Sequence, residues 1–151
     1  MNSEARDFGG LRILVADDSD FIRTLTGRVL EKVGATQVLF AADGHQAFKA
    51  IQDSSPPIDI IFCDLQMPGL DGVEVARQTA LLPRPPAFII ISAESADALS
   101  AATEQMRSLG IEVLGALSKP LAREPIVKIL ESFLAKAVPP SSGPTKGGSG
   151  A

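Results

Sequence analysis

The chain has 151 residues, 45% of them apolar, with 7 Phe, no Trp or Tyr, and a formal net charge of −4. That size makes one domain with a core of Ile, Leu, Val and Ala rather than aromatics. The acidic balance removes an electrostatic case for nucleic acid, and a lone cysteine, Cys63, excludes a disulfide framework or a thiolate metal cluster within the chain.

The start, Met1-Asn2-Ser3-Glu4-Ala5-Arg6-Asp7, lacks the basic-then-apolar order of a signal peptide. No apolar run approaches membrane-spanning length, so the expectation is a soluble, cytoplasmic protein. Residues 1–10 read as a flexible leader ending in Gly9-Gly10. A first strand is expected over 11–16. The helix after it carries Phe21, Ile22, Leu25, Val29, Leu30 and Val33 at helical spacing and stops at Gly34. A second strand covers 36–41, and a helix over 43–52 buries Ala47, Phe48 and Ile51. Ser54-Ser55-Pro56-Pro57 breaks the pattern before a third strand over 58–63, which contains Cys63 as a small core residue. Asp71-Gly72 opens a helix to about residue 81, closed by Pro83, Pro85 and Pro86.

A fourth strand covers 87–92. The helix over 97–109 has a thin apolar face, chiefly Leu99, Met106 and Leu109, and weak anchoring makes it a candidate for movement. A fifth strand covers 112–117, and a last helix from about residue 122 accepts Pro125 in its first turn and buries Ile126, Ile129, Leu130, Phe133 and Leu134. Strands three to five are apolar on both faces, as a sheet covered on both sides requires. From Pro139 the chain is rich in Pro, Gly and Ser and reads as a flexible tail or linker over 138–151. Strand–helix alternation over 11–137 is the signature of a parallel α/β sheet.

The chemistry gathers at the strand ends. Asp17 and Asp18 follow the first strand, Asp64 the third, Ser92 ends the fourth, and Lys119-Pro120 follow the fifth. Open parallel sheets place ligand sites at that edge. Three carboxylates repel, and a hard divalent cation relieves the repulsion. Mg²⁺ prefers oxygen ligands and commonly bridges carboxylates to phosphate. Asp64 could then attack phosphorus as a carboxylate nucleophile, with Ser92 and Lys119 placed to meet charge on the phosphoryl oxygens. A cis bond at Lys119-Pro120 would aim the lysine inward. Singly, each residue has a structural reading: helix caps for Asp17, Asp18, Ser19 and Ser92, a turn for Asp64, solvated surface for Lys119. Together they favour a site.

These segments, Ile13-Leu14-Val15-Ala16-Asp17-Asp18-Ser19, Asp64 to Gly72, Ile90-Ile91-Ser92-Ala93 and Ser118-Lys119-Pro120, closely resemble the CheY-like receiver domains of two-component response regulators. The resemblance implies a doubly wound (βα)5 flavodoxin-like three-layer sandwich of α/β class, sheet order 2-1-3-4-5. It implies Asp64 as phosphoacceptor from the histidine of a sensor kinase or a histidine phosphotransfer protein. It implies Mg²⁺, with Mn²⁺ as a substitute, held by Asp18, Asp64 and the Gln66 backbone carbonyl, and by Asp17 mainly through water. Ser92 and Lys119 would contact the phosphoryl oxygens, and Gln66 and Glu94 fall where side chains influence aspartyl-phosphate lifetime. The chain would then be a signalling phosphoacceptor rather than an enzyme, switching a downstream effector or an output domain, with phosphorylation-dependent homodimerisation as one outcome and neither nucleic acid nor membrane as partner.

One position departs from the pattern. Three residues before the lysine, many members carry Tyr, Phe or His, and here stands Ala116. A signal must then travel by Ser92, the 92–97 loop and the weakly anchored helix. The segment 109–121 is also similar to receivers fused to EAL-type cyclic-di-GMP phosphodiesterase domains, although this chain has no EAL domain. Two alternatives stand beside the receiver reading: a pseudo-receiver adaptor that is never phosphorylated, which Ala116 keeps open, and an aspartate-nucleophile phosphohydrolase. Phosphohydrolases of the haloacid-dehalogenase type need Asp-x-Asp after the first strand, and the adjacent Asp17-Asp18 pair argues against one. His45, the only histidine, reads as a solvent-facing helix residue.

Overall fold

The structure is a computed structural model that describes residues 8–119 and 121–137. Five parallel strands form one sheet in the order β2-β1-β3-β4-β5, with β1 at Arg12–Ala16, β2 at Gln37–Ala41, β3 at Ile60–Asp64, β4 at Ala87–Ser92 and β5 at Val113–Ser118. The helices are α1 (Asp20–Lys32), α2 (Gly44–Asp53), α3 (Gly72–Thr79), α4 (Ala96–Ser108) and α5 (Arg123–Ala137). The expected fold class and strand order are those observed.

Each helix from α1 to α4 starts where a short polar side chain can accept a backbone N–H. Ser19 accepts from Ile22, Asp43 from Gln46, Asp71 from Glu74 and Ser95 from Ala98. These caps fix where the loops leaving the carboxyl ends of the strands end, and so how far the chain can wander around the site.

The sheet divides the core in two. On one face Leu14, Ile61, Phe88 and Ile90 meet Ala47 and Ile51 of α2, Val75 and Ala76 of α3, and Met106 of α4. On the other, Ile13, Val15, Phe62, Ile89 and Ile91 meet Leu30 of α1 and Ile126 and Leu130 of α5. Every residue of β3 and β4 is buried, and burying each large side chain is worth roughly 1.5–3 kcal/mol. The central strands are therefore the rigid platform for whatever stands at their ends.

Four expectations are corrected. The leader gives way to structure at Phe8–Gly10, a short 3-10 helix, because Phe8 is fully buried against the α1/α5 face. Residues 1–7 and 138–151 lie outside the described residues, as does Pro120 and with it the isomer of its peptide bond. Phe21 does not face the core: it is 71% exposed, and Thr26 takes an inner position instead. Strand β5 is not apolar on both faces. As the last strand of the sheet it buries only Val113 fully and exposes Ala116 and Ser118. Phe48 is half-buried, while Ala47 and Ile51 are buried as expected.

Candidate functional site

The reversal of strand order puts β1 and β3 side by side with helices leaving to opposite faces, and the crevice opens at their carboxyl ends. Asp17 follows β1, its N–H donating to the Ala41 carbonyl at 3.1 Å. Its Oδ1 accepts from the Ser19 N–H at 2.9 Å, a local turn that aims the side chain back over the strand end. Asp64, the last residue of β3, is 4% exposed, and its Oδ1 accepts from the Gln66 N–H at 3.2 Å. Asp18 is exposed, and a carboxylate oxygen from each of Asp17, Asp18 and Asp64 lies within 4.8 Å of the others.

Lys119 reaches into this cluster from the loop after β5, its backbone N–H held by the Ser92 carbonyl at 3.0 Å. The ammonium nitrogen stands 2.8 Å from Asp17 Oδ2 and 3.1 Å from Asp64 Oδ2. The approach to Asp64 is a directed hydrogen bond. That to Asp17 is a close ion pair, and apart from Lys119 no group among the described residues meets Asp17 Oδ2, in a wholly buried residue. Ser92, 1% exposed at the end of β4, accepts the Glu94 N–H on its hydroxyl at 2.9 Å. Gly72 completes the floor: a Cβ there would come within 2.7 Å of the Asp64 carbonyl oxygen, so the loop can fold this tightly only with glycine.

Electrostatics follow from the packing. Burial pushes the Asp64 carboxyl above its ordinary range, while the Lys119 hydrogen bond pulls against that shift and the Asp17 charge adds to it. Burial alone would lower Lys119, but its contacts with Asp17 and Asp64 outweigh that, and the ammonium is held above its ordinary range. Cys63, next to Asp64, is fully buried, and desolvation pushes its thiol far up, so it is a core residue and not a nucleophile.

Three carboxylates against one ammonium leave an excess of negative charge. All-oxygen donors of this charge fit a hard cation such as Mg²⁺. Asp17, Asp18 and Asp64 are the residues that could hold one. The sequence expectations thus converge in one place, with Ser92 and Lys119 beside them. Glu94 and Gln66 are brought in through their backbone N–H groups. His45 is exposed and its ring lies against Gly69, on the neighbouring loop. One contributor was missed: Arg23, whose guanidinium donates to the Asp17 carbonyl at 2.7 Å and also pairs with Asp20. Its signal was a cation one turn into the helix that follows the acidic pair.

Residues 13–131 match the model of the response regulator receiver domain. The chain belongs to that family. It is therefore the receiver domain of a two-component response regulator. It is 38% identical over 127 residues to the cyclic di-GMP phosphodiesterase RocR of Pseudomonas aeruginosa, covering 83% of this chain and 32% of that protein. It is 30% identical to the positive alginate biosynthesis regulatory protein of the same species, covering 88% of this chain and 54% of the relative. The receiver thus spans only part of the length of these relatives. Among solved structures it resembles CheY in the CheX–CheY–BeF3–Mg complex from Borrelia burgdorferi, at 25% identity and a TM-score of 0.71, covering 82% of this chain and 89% of that one. No helix among the described residues is long and apolar enough to cross a membrane.

Proposed function

We propose that this receiver accepts a phosphoryl group on Asp64 from a phosphohistidine, in a Mg²⁺-dependent reaction, and that the modification changes which partner it binds. The observation that carries this reading is the placement of Asp64 at the mouth of the central strand, with Lys119 3.1 Å from one carboxylate oxygen and two more carboxylates beside it. A carboxylate oxygen of Asp64 attacks phosphorus, the P–N bond breaks, and its electron pair returns to the imidazole ring. Asp17, Asp18 and Asp64 would hold Mg²⁺, which would supply positive charge against the phosphoryl oxygens. Lys119 is already poised to pass from the carboxylate to a phosphoryl oxygen. The Ser92 hydroxyl, which accepts from Glu94, keeps its own proton to donate to another.

Because the fold contributes only a self-modified carboxylate, turnover of exogenous substrates is not part of this reading. The histidine donor is a sensor kinase or a phosphotransfer protein, and the reaction is cytoplasmic. The RocR and alginate-regulator relatives are longer proteins, which makes an output domain or a separate effector the partner class. Transfer of labelled phosphate from an autophosphorylated histidine kinase tests the proposal. Label should appear on the parent with Mg²⁺, and neither with excess chelator nor on Asp64→Asn.

With Ala116 exposed on β5 and carrying no ring to swing inward, the change has to pass from Ser92 through the 92–97 loop to α4. That helix buries only Ala102 and Met106. Beryllofluoride with Mg²⁺ should alter amide hydrogen exchange in residues 96–108, and unchanged exchange there would remove this route.

A further inference from the structure

Strand β2 closes one side of the sheet, and no strand among the described residues pairs with its outer edge. Its residues, Gln37-Val38-Leu39-Phe40-Ala41, include no charge, no proline and no bulge. Natural edge strands normally carry such devices, because unpaired N–H and C=O groups invite another strand. The Ala41 carbonyl is taken by Asp17 on the β1 side. By the alternation of a strand, Leu39 also faces β1, while the N–H and C=O groups of Val38 and Phe40 point outward. Apart from the ladder to β1, neither residue has a backbone partner among the described residues. At the opposite side of the sheet, the Val113 carbonyl of β5 is already taken by the Arg107 guanidinium, at 2.9 Å.

The side chains repeat the message. Phe40 is 51% exposed, its ring lying over Gly27 of α1, where a Cβ would come within 2.8 Å of it. Val38 stands on the same face, and the two line a groove of about 560 Å³ between α1 and the strand. Along its helical wall run Arg28 and Glu31, both exposed and without an ion-pair partner among the described residues.

We infer that this edge is a self-association surface, whose occupant is β2 of a second copy in antiparallel register about a two-fold axis at Leu39. The strand is self-complementary in just this register. Val38 of each copy faces Phe40 of the other, and the two outward N–H and C=O pairs exchange four hydrogen bonds. Both mixed pairs lie on the α1 face, aromatic against β-branched, a favourable cross-strand combination. The same axis sets the Arg28–Glu31 wall of one copy antiparallel to its twin, so that opposite charges meet. The result is an isologous dimer with one continuous ten-stranded sheet, formed without phosphorylation and away from the acidic cluster.

Sedimentation velocity of the full chain from micromolar to millimolar concentration tests this, with two variants. The parent should move from monomer toward dimer. Phe40→Lys, which places a charge on the edge, should weaken association at least about tenfold while keeping the parent's thermal unfolding curve. Leu39→Cys, at the axis, puts two Cα atoms about 4.5 Å apart, inside the range a disulfide spans, so mild oxidation should give a covalent dimer. A parent that stays monomeric overturns the inference, even if its Val38 and Phe40 amides are protected, since the chain's own leader or tail would then be the occupant. A dimer that ignores Phe40→Lys, or a Leu39→Cys chain that forms no intermolecular disulfide, overturns it equally.

Discussion

Lys119 donates to Asp64 across the mouth of the sheet, Nζ to Oδ2 at 3.1 Å, while the same nitrogen lies 2.8 Å from Asp17. One ammonium thus serves two buried carboxylates that would otherwise face each other unscreened. The arrangement leaves negative charge uncompensated, which is the condition the proposed cation and phosphoryl group would meet.

Because both groups titrate above their ordinary values, each makes stability fall as pH rises, in two separate windows. Asp64 titrates above its ordinary value of 3.8 when folded, so the native state holds its proton longer than the unfolded chain, and stability falls as pH rises from that value through the raised one. Lys119 is also raised, above 10.5. Its contribution is present in full below that value and lost as pH climbs through the raised one. Lys119→Met should abolish this alkaline loss and push the Asp64 carboxyl higher still, as read by pH-dependent thermal unfolding and by carboxyl carbon NMR. An Asp64 titration unmoved by the variant would contradict the pairing.

Mg²⁺ should stabilise the parent, because a ligand that binds only the folded state adds about 2.7 kcal/mol at a hundred times its Kd. Asp17→Asn removes one of three clustered charges and should weaken Mg²⁺ binding about tenfold or more, since affinity follows ligand charge. Titration calorimetry and melting with and without chelator measure both effects. Equal melting shifts in parent and variant would place the cation elsewhere.

Phe8→Ala should cost about 3–5 kcal/mol, the range for emptying a fully buried aromatic site, although the residue precedes the first strand. Urea unfolding reads the change. A loss below about 1 kcal/mol would mean that the site collapses around the gap and that the packed unit begins nearer Leu11.

The leader shows where the sequence was silent. Gly9-Gly10 reads as loose chain, and nothing local reveals that the single aromatic before it reaches the α1/α5 face. Phe21 shows the converse. Helical spacing included it in the apolar face, but it stands in the first turn of α1 and 71% of it meets solvent. The strands and the acidic cluster were legible for a simple reason. Buried parallel strands are continuous apolar runs, and each run ended in the residue that the topology then carried to the same edge. The Arg23 contact was not legible, because it depends on how α1 leaves β1.

Phosphorylation of Asp64 is tested most directly by intact mass after incubation with Mg²⁺ and a small-molecule phosphodonor, beside Asp64→Asn. The parent should gain one phosphoryl-sized mass, lost on chelation, and the variant none. A parent that binds Mg²⁺ yet gains no mass from either the small donor or a phosphorylated kinase, or an Asp64→Asn chain that gains as much as the parent, would contradict it.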